Sequence, residues 1–186
     1  MSRWPFALIA IFFLIALLPV QATDLLEFNR HAIANGQVWR LVTANFTHLG
    51  WPHTLLNAGG VLLIAWLYPR GHYALWLGQF VLVSLLIGLV LYLFHPVEYY
   101  VGASGTLHGS LMLAALYSRW LPCWRQYVFV GMVLAKLIWE QTPWYDDADI
   151  YALIGGHVMT MAHFVGGFSS LALAGLWWFY RRTVRG

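Results

Sequence analysis

Charge is what this sequence has least of. Asp, Glu, Lys and Arg make up 9% of its 186 residues, and hydrophobic residues make up 61%. A soluble domain carries about 25% charge, so this chain would leave far too much apolar surface in water. That argues against a soluble globular protein and leaves the polytopic membrane class. Cysteine is almost absent as well. Cys123 stands alone, which excludes an internal disulfide, and it reads as a small buried apolar residue. The string His-Glu-x-x-His is missing, and no acid stands beside His53 or His163 to complete a zinc site. No metal is therefore expected despite eight histidines. No Asp falls inside an apolar segment, which argues against an aspartyl protease of the membrane. Internal repeats, low-complexity stretches and a separate soluble domain are also lacking, so the chain reads as one domain and not as a transporter built from repeats. The net charge is +3, but the basic residues are scattered and mostly flank apolar segments. The expected partner is the lipid bilayer and not nucleic acid.

Apolar runs of about 17–25 residues read as membrane helices. They lie near 4–20, 52–69, 72–94, 104–120, 122–139 and 156–180, punctuated by Pro69-Arg70-Gly71, His95-Pro96 and Leu121-Pro122. The expectation is an all-α membrane protein, a bundle of six spans within residues 1–186. The first run has a rival reading as a signal peptide, since Val20-Gln21-Ala22 resembles a cleavage site. Arg3, Arg70, Arg119, Arg125, Arg181, Arg182 and Arg185 fall on one side of these spans. Asp24, Glu27, Glu98, Glu140, Asp146, Asp147 and Asp149 fall on the other. The basic side is cytoplasmic by the positive-inside rule, which puts both termini inside. Arg30, Arg40 and Lys136 are exceptions on or near the outer side. Trp4, Trp66, Tyr68, Trp120 and Trp177-Trp178 fit interfacial belts.

Polar residues at membrane depth are costly and are functional candidates by default. Ser104 sits in Gly102-Ala103-Ser104-Gly105, at the outer N-terminus of the fourth span. A helix N-terminus offers unpaired N–H groups and partial positive charge to an oxyanion. Gly102 and Gly105 permit a tight turn and close approach of another backbone. Packing through small residues would explain the same glycines. His163 lies in the sixth span, read as about seven residues in and roughly 10 Å deep. Gly166 and Ser170 follow it as a small pair that could bring this span against the fourth. His53 and Asn57 are four residues apart, so they share a face of the second span and can donate to an oxyanion. A polar pair bonded to each other is the structural alternative. All four residues fall in the outer half. Together they supply nucleophile, base and oxyanion donors for acyl transfer. No carboxylate stands in the outer half of the fourth or sixth span to orient the base, so a Ser–His dyad is expected. His108, four residues after Ser104, is on the right face to hold the imidazole.

These residues resemble the rhomboid family of intramembrane serine proteases. Trp39-Arg40, Thr43, His48, His53 and Asn57 resemble its first-loop and second-helix pattern. Gly102-Ala103-Ser104-Gly105 resembles its Gly-x-Ser-Gly, and Ala162-His163-x-x-Gly166 its sixth-helix motif, with Ser170 where a glycine is usual. The resemblance implies Ser104 as nucleophile, His163 as base, and His53, Asn57 and the Ser104 backbone as oxyanion hole. It implies Arg40 and His48 as hydrogen bonders that stabilise the first loop, and it implies no cofactor. Many rhomboids have tyrosine where His108 stands. With the short six-span chain, that departure resembles the rhombosortase branch. The branch implies a bacterial inner-membrane enzyme whose site faces the periplasm. Its implied substrates are exported, membrane-anchored proteins ending in Gly-Gly, an apolar helix and basic residues. Hydrolysis and transfer to an amine are both open. The alternatives are a general rhomboid protease with other single-span substrates, or an inactive rhomboid-like protein that binds membrane helices. His157 reads as structural or interfacial, and Asp146-Asp147-Ala148-Asp149 as a solvated face.

Overall fold

The computed structural model describes residues 4–68 and 73–185. Arg3, Pro69, Arg70 and Gly71 lie outside the described residues, as do the side chains of Trp178, Arg181 and Arg185. The protein is predominantly helical. Its long helices are α1 (Trp4–Ala16), α5 (Trp51–Leu67), α6 (Tyr73–Phe94), α7 (Ser104–Leu116), α8 (Cys123–Trp139) and α10 (Thr160–Arg185). Short helices α2 (Val20–Thr23), α3 (Arg30–Ala34) and α4 (Arg40–Thr43) fold the first loop, and α9 (Ala148–Ile154) lies between α8 and α10. The expected all-α class needs one small amendment. Strands β1 (Phe28–Asn29) and β2 (Tyr99–Tyr100) pair antiparallel, with Phe28 opposite Tyr100. This ladder ties the first loop to the approach to α7.

Three helix limits differ from expectation for local reasons. The first helix stops at Ala16 and not near 20, because Pro19 cannot continue it and instead precedes α2. The fourth stops at Leu116 and not near 120. The sixth starts at Thr160 and not at 156, because Gly155 takes a left-handed conformation (φ 82°) that ends α9. His163 is therefore the fourth residue of its helix, about 5 Å from its start. Cys123 is exposed and not buried, since it opens α8 directly after the loop at Pro122.

α7 is the central helix, packed by α5, α6, α8 and α10. Leu8 and Phe12 of α1 join Val61, Ile64, Trp76, Phe80 and Leu107 in one core. Met112, Ala115, Val130, Val133 and Leu137 form another between α7 and α8. Large apolar side chains also face outward, among them Leu55, Leu62, Val81, Met132 and Leu176. Among the described residues, α6 is long and apolar enough to cross a membrane, with 22 residues and a mean hydropathy of 2.4. A helix end leaves carbonyls short of helical partners. Arg30 serves the end of α6, donating to the carbonyls of Leu91 and Tyr92 and, just beyond the helix, to those of His95 and Val97.

Candidate active site

Gly102 sets the turn before Ser104. Its φ is 121°, a region that favours glycine. A Cβ there would also lie 2.7 Å from His53 Cε1, so no side chain fits. The Tyr100 hydroxyl donates to the Gly102 carbonyl (2.6 Å), and the Gly102 N–H donates to Ala44 (2.9 Å). The chain then enters α7, which opens on Ser104.

Glycines also bring α10 onto α7. A Cβ on Gly166 would overlap the Gly105 backbone, and one on Gly109 would overlap Ser170 and Gly166. Gln79 of α6 braces the crossing, accepting from Ser110 (3.0 Å) and donating to Ser170 (2.8 Å). The crossing carries His163 to Ser104. His163 Nε2 lies 2.8 Å from Ser104 Oγ, between residues 59 positions apart in sequence.

The other ring nitrogen meets a residue that the sequence reading did not assign. His163 Nδ1 lies 2.9 Å from Oε2 of Glu140, which ends α8 and is 4% exposed. An ionised carboxylate only accepts hydrogen bonds. Nδ1 therefore carries the proton, and Nε2 is free to accept the Ser104 O–H. Lys136, one turn earlier on α8, pairs with Glu140 Oε1. Burial pushes the Glu140 carboxyl up, but the bonds and charges of His163 and Lys136 outweigh it and hold it below the usual carboxylate range. The expectation of no orienting carboxylate considered only the helices of Ser104 and His163. Glu140 reaches the site from a third helix, and its place in the acidic half of the charge pattern was the available signal.

His108 packs beside His163, with ring centroids 4.2 Å apart and the ring planes tilted by 31°. Lys136 Nζ lies 3.0 Å from His108 Nε2, and His108 Nδ1 lies 2.7 Å from the Ser104 carbonyl. An ammonium only donates and a carbonyl only accepts, so His108 is protonated on Nδ1. His53 and Asn57 are buried and line the same cavity as Ser104 and His163. The Leu49 N–H donates to His53 Nδ1 (3.3 Å), which leaves the neutral ring's proton on Nε2. Asn57 donates to the His53 carbonyl (2.9 Å), and its second amide N–H has no other bond among the described residues.

Arg40 is buried and donates to the carbonyls of Asp24 (2.5 Å) and Glu27 (2.9 Å), tying the first loop. His48 is not the hydrogen bonder that the resemblance implies. Its ring nitrogens are buried without a partner among the described residues. Its ring sits edge-on to Phe12 and His53, where it can pack but finds no acceptor. His157 lies in the loop before α10 and faces Asp147 (3.2 Å) and the Tyr151 ring. Asp147 also accepts from the Val158 N–H (2.7 Å), so it ties this loop and is more than a solvated charge.

The cavity holds about 490 Å³ and is mostly apolar, lined by Leu56, Ile64, Leu107, Leu111 and Met159 beside Ser104, His163, His53, Asn57 and His108. A hydroxyl within reach of an imidazole nitrogen that can accept its proton, beside N–H donors, is suited to nucleophilic attack on a carbonyl.

A family profile described as "Rhomboid domain" matches residues 35–180. A Bacillus subtilis (strain 168) relative named "Putative rhomboid protease YdcA" is 35% identical over 82 residues. That match covers 41% of this chain and 40% of the relative, so the chain spans about two fifths of the relative's length. The chain belongs to the rhomboid family, whose members are integral membrane proteins.

Proposed function

We propose that this chain is an intramembrane serine protease with Ser104 as nucleophile and His163 as general base. The observation that carries the reading is the 2.8 Å approach of Ser104 Oγ to His163 Nε2. Ser104 Oγ attacks the carbonyl carbon of a peptide bond and passes its proton to Nε2. The carbonyl oxygen becomes an oxyanion, met by the α7 N-terminus, His53 Nε2–H and the Asn57 amide. Collapse breaks the C–N bond as His163 returns the proton to the leaving amine. Water then attacks the acyl ester, gives a proton to His163, and frees Ser104, whose oxygen takes that proton back.

The chain is read as a six-span bundle in a bacterial inner membrane, with both termini cytoplasmic and the site facing the periplasm. The outward apolar side chains and the one-sided arginines support this. The substrates would be exported proteins anchored by a C-terminal apolar helix, preceded by Gly-Gly and followed by basic residues. Glycine weakens a helix by about 1 kcal/mol per residue, so such a helix unwinds most readily there and offers its backbone to Ser104. His108 in place of the family's common tyrosine supports this rhombosortase-type substrate.

Co-expression with a tagged reporter of that design, against Ser104→Ala, tests the proposal. Serine-dependent loss of the tail supports it. No cleavage with Ser104 still labelled by a serine-reactive phosphonate replaces it with a general rhomboid protease. Neither cleavage nor labelling replaces it with an inactive helix-binding protein.

A further inference from the structure

We propose that Glu140 is a positioning residue of the reaction, so that the hydrolytic unit is Ser104–His163–Glu140 and not a two-residue dyad. The inference rests on the proposed serine chemistry and deepens it. Three observations carry it. Glu140 Oε2 lies 2.9 Å from His163 Nδ1, on the ring edge opposite the 2.8 Å contact to Ser104. The Glu140 side chain is 1% exposed, so its charge has left solvent for these partners. Finally, helix physics does not explain its position. A carboxylate at the end of α8 faces the negative pole of the helix dipole, where a cation is preferred. Pairing with Lys136 does not explain the burial either. That lysine is 49% exposed, and such a pair would form as well with the carboxylate turned outward.

The chemistry follows from the accounting of protons. Glu140 accepts the Nδ1–H and thereby keeps Nε2 free for the Ser104 proton. When Nε2 takes that proton, the ring becomes an imidazolium between the tetrahedral adduct formed on Ser104 Oγ and a fixed carboxylate. Glu140 stabilises that cation without taking a proton itself. Lys136 holds the second carboxylate oxygen, and its further bond to His108 fixes the ring packed beside His163.

The test compares the full-length variants on a cleavable transmembrane reporter. Glu140→Gln should lower kcat by about 10²–10⁴-fold with little change in KM, since the amide keeps the shape but loses the charge. Glu140→Asp should recover part of the loss. Lys136→Met should cost much less than Glu140→Gln. On the unaltered protein with ¹⁵N-labelled histidine, a strongly deshielded proton should be bonded to Nδ1 of one ring and vanish in His163→Ala. Wild-type kcat in Glu140→Gln would overturn the proposal. So would equal losses in Lys136→Met and Glu140→Gln, or an Nδ1 of His163 without a proton. The spectrum needs no Glu140 variant, so it decides the matter even where that variant fails to fold. Ser104→Ala runs beside them. Undiminished cleavage there would defeat the serine chemistry itself and not the role of Glu140.

Discussion

The histidines around Ser104 owe their tautomers to their partners. Glu140 sets His163, Lys136 and the Ser104 carbonyl set His108, and the Leu49 N–H sets His53. The result leaves a bare nitrogen facing Ser104 and an N–H on His53 Nε2. Asn57 adds a spare amide N–H beside it. If that N–H meets the oxyanion, Asn57→Ala should lower kcat by about 10²–10³-fold, measured on the reporter with expression matched; a loss below threefold would remove Asn57 from that role. Ser104, His163, His53 and Asn57 were legible because each stands in a recognisable string of residues. Glu140 was not, because a carboxylate's partner depends on how helices cross, and nothing near it in sequence names His163. His48 misled for the same reason: the string places the residue, but the surrounding rings decide whether it finds an acceptor.

At the scale of elements, the site depends on the crossing of α7 and α10. Backbone meets backbone at Gly105 and Gly166, so the contact tolerates no side chain. Gly166→Val should push the helices apart, carry His163 away from Ser104, and cost about 1–3 kcal/mol of stability. Loss of phosphonate labelling with a lowered melting temperature would bear this out, and normal labelling would contradict it. The pairing of Gly166 with α7 was readable from the spacing of small residues. The positions of the long helices were readable from apolar runs and from the prolines between them. Their ends were less so. Pro19 and Gly155 stop or delay helices inside stretches whose hydrophobicity continues, and α9 rises from an acidic stretch that reads as loop.

For the whole molecule, the one-sided charge pattern has three exceptions, and each is engaged locally. Arg30 caps α6, Arg40 ties the first loop, and Lys136 pairs with Glu140. Their partners, and not loop solvent, account for these three cations, which a count of loop charges cannot reveal. Glu140 also links the assembly to pH. Its carboxyl sits below its ordinary value of 4.5, so its stabilisation is complete above that value and fades as pH falls through the folded value. In detergent, the melting temperature of the unaltered protein should drop more steeply below pH 4.5 than that of Glu140→Gln. Parallel curves would mean that the carboxylate contributes nothing to the fold. The most direct measurement of all is release of the tail from the Gly-Gly reporter by the unaltered chain, Ser104→Ala and His163→Ala, each verified as folded. Serine chemistry in the membrane predicts release by the first and none by either variant; full release by Ser104→Ala would contradict it.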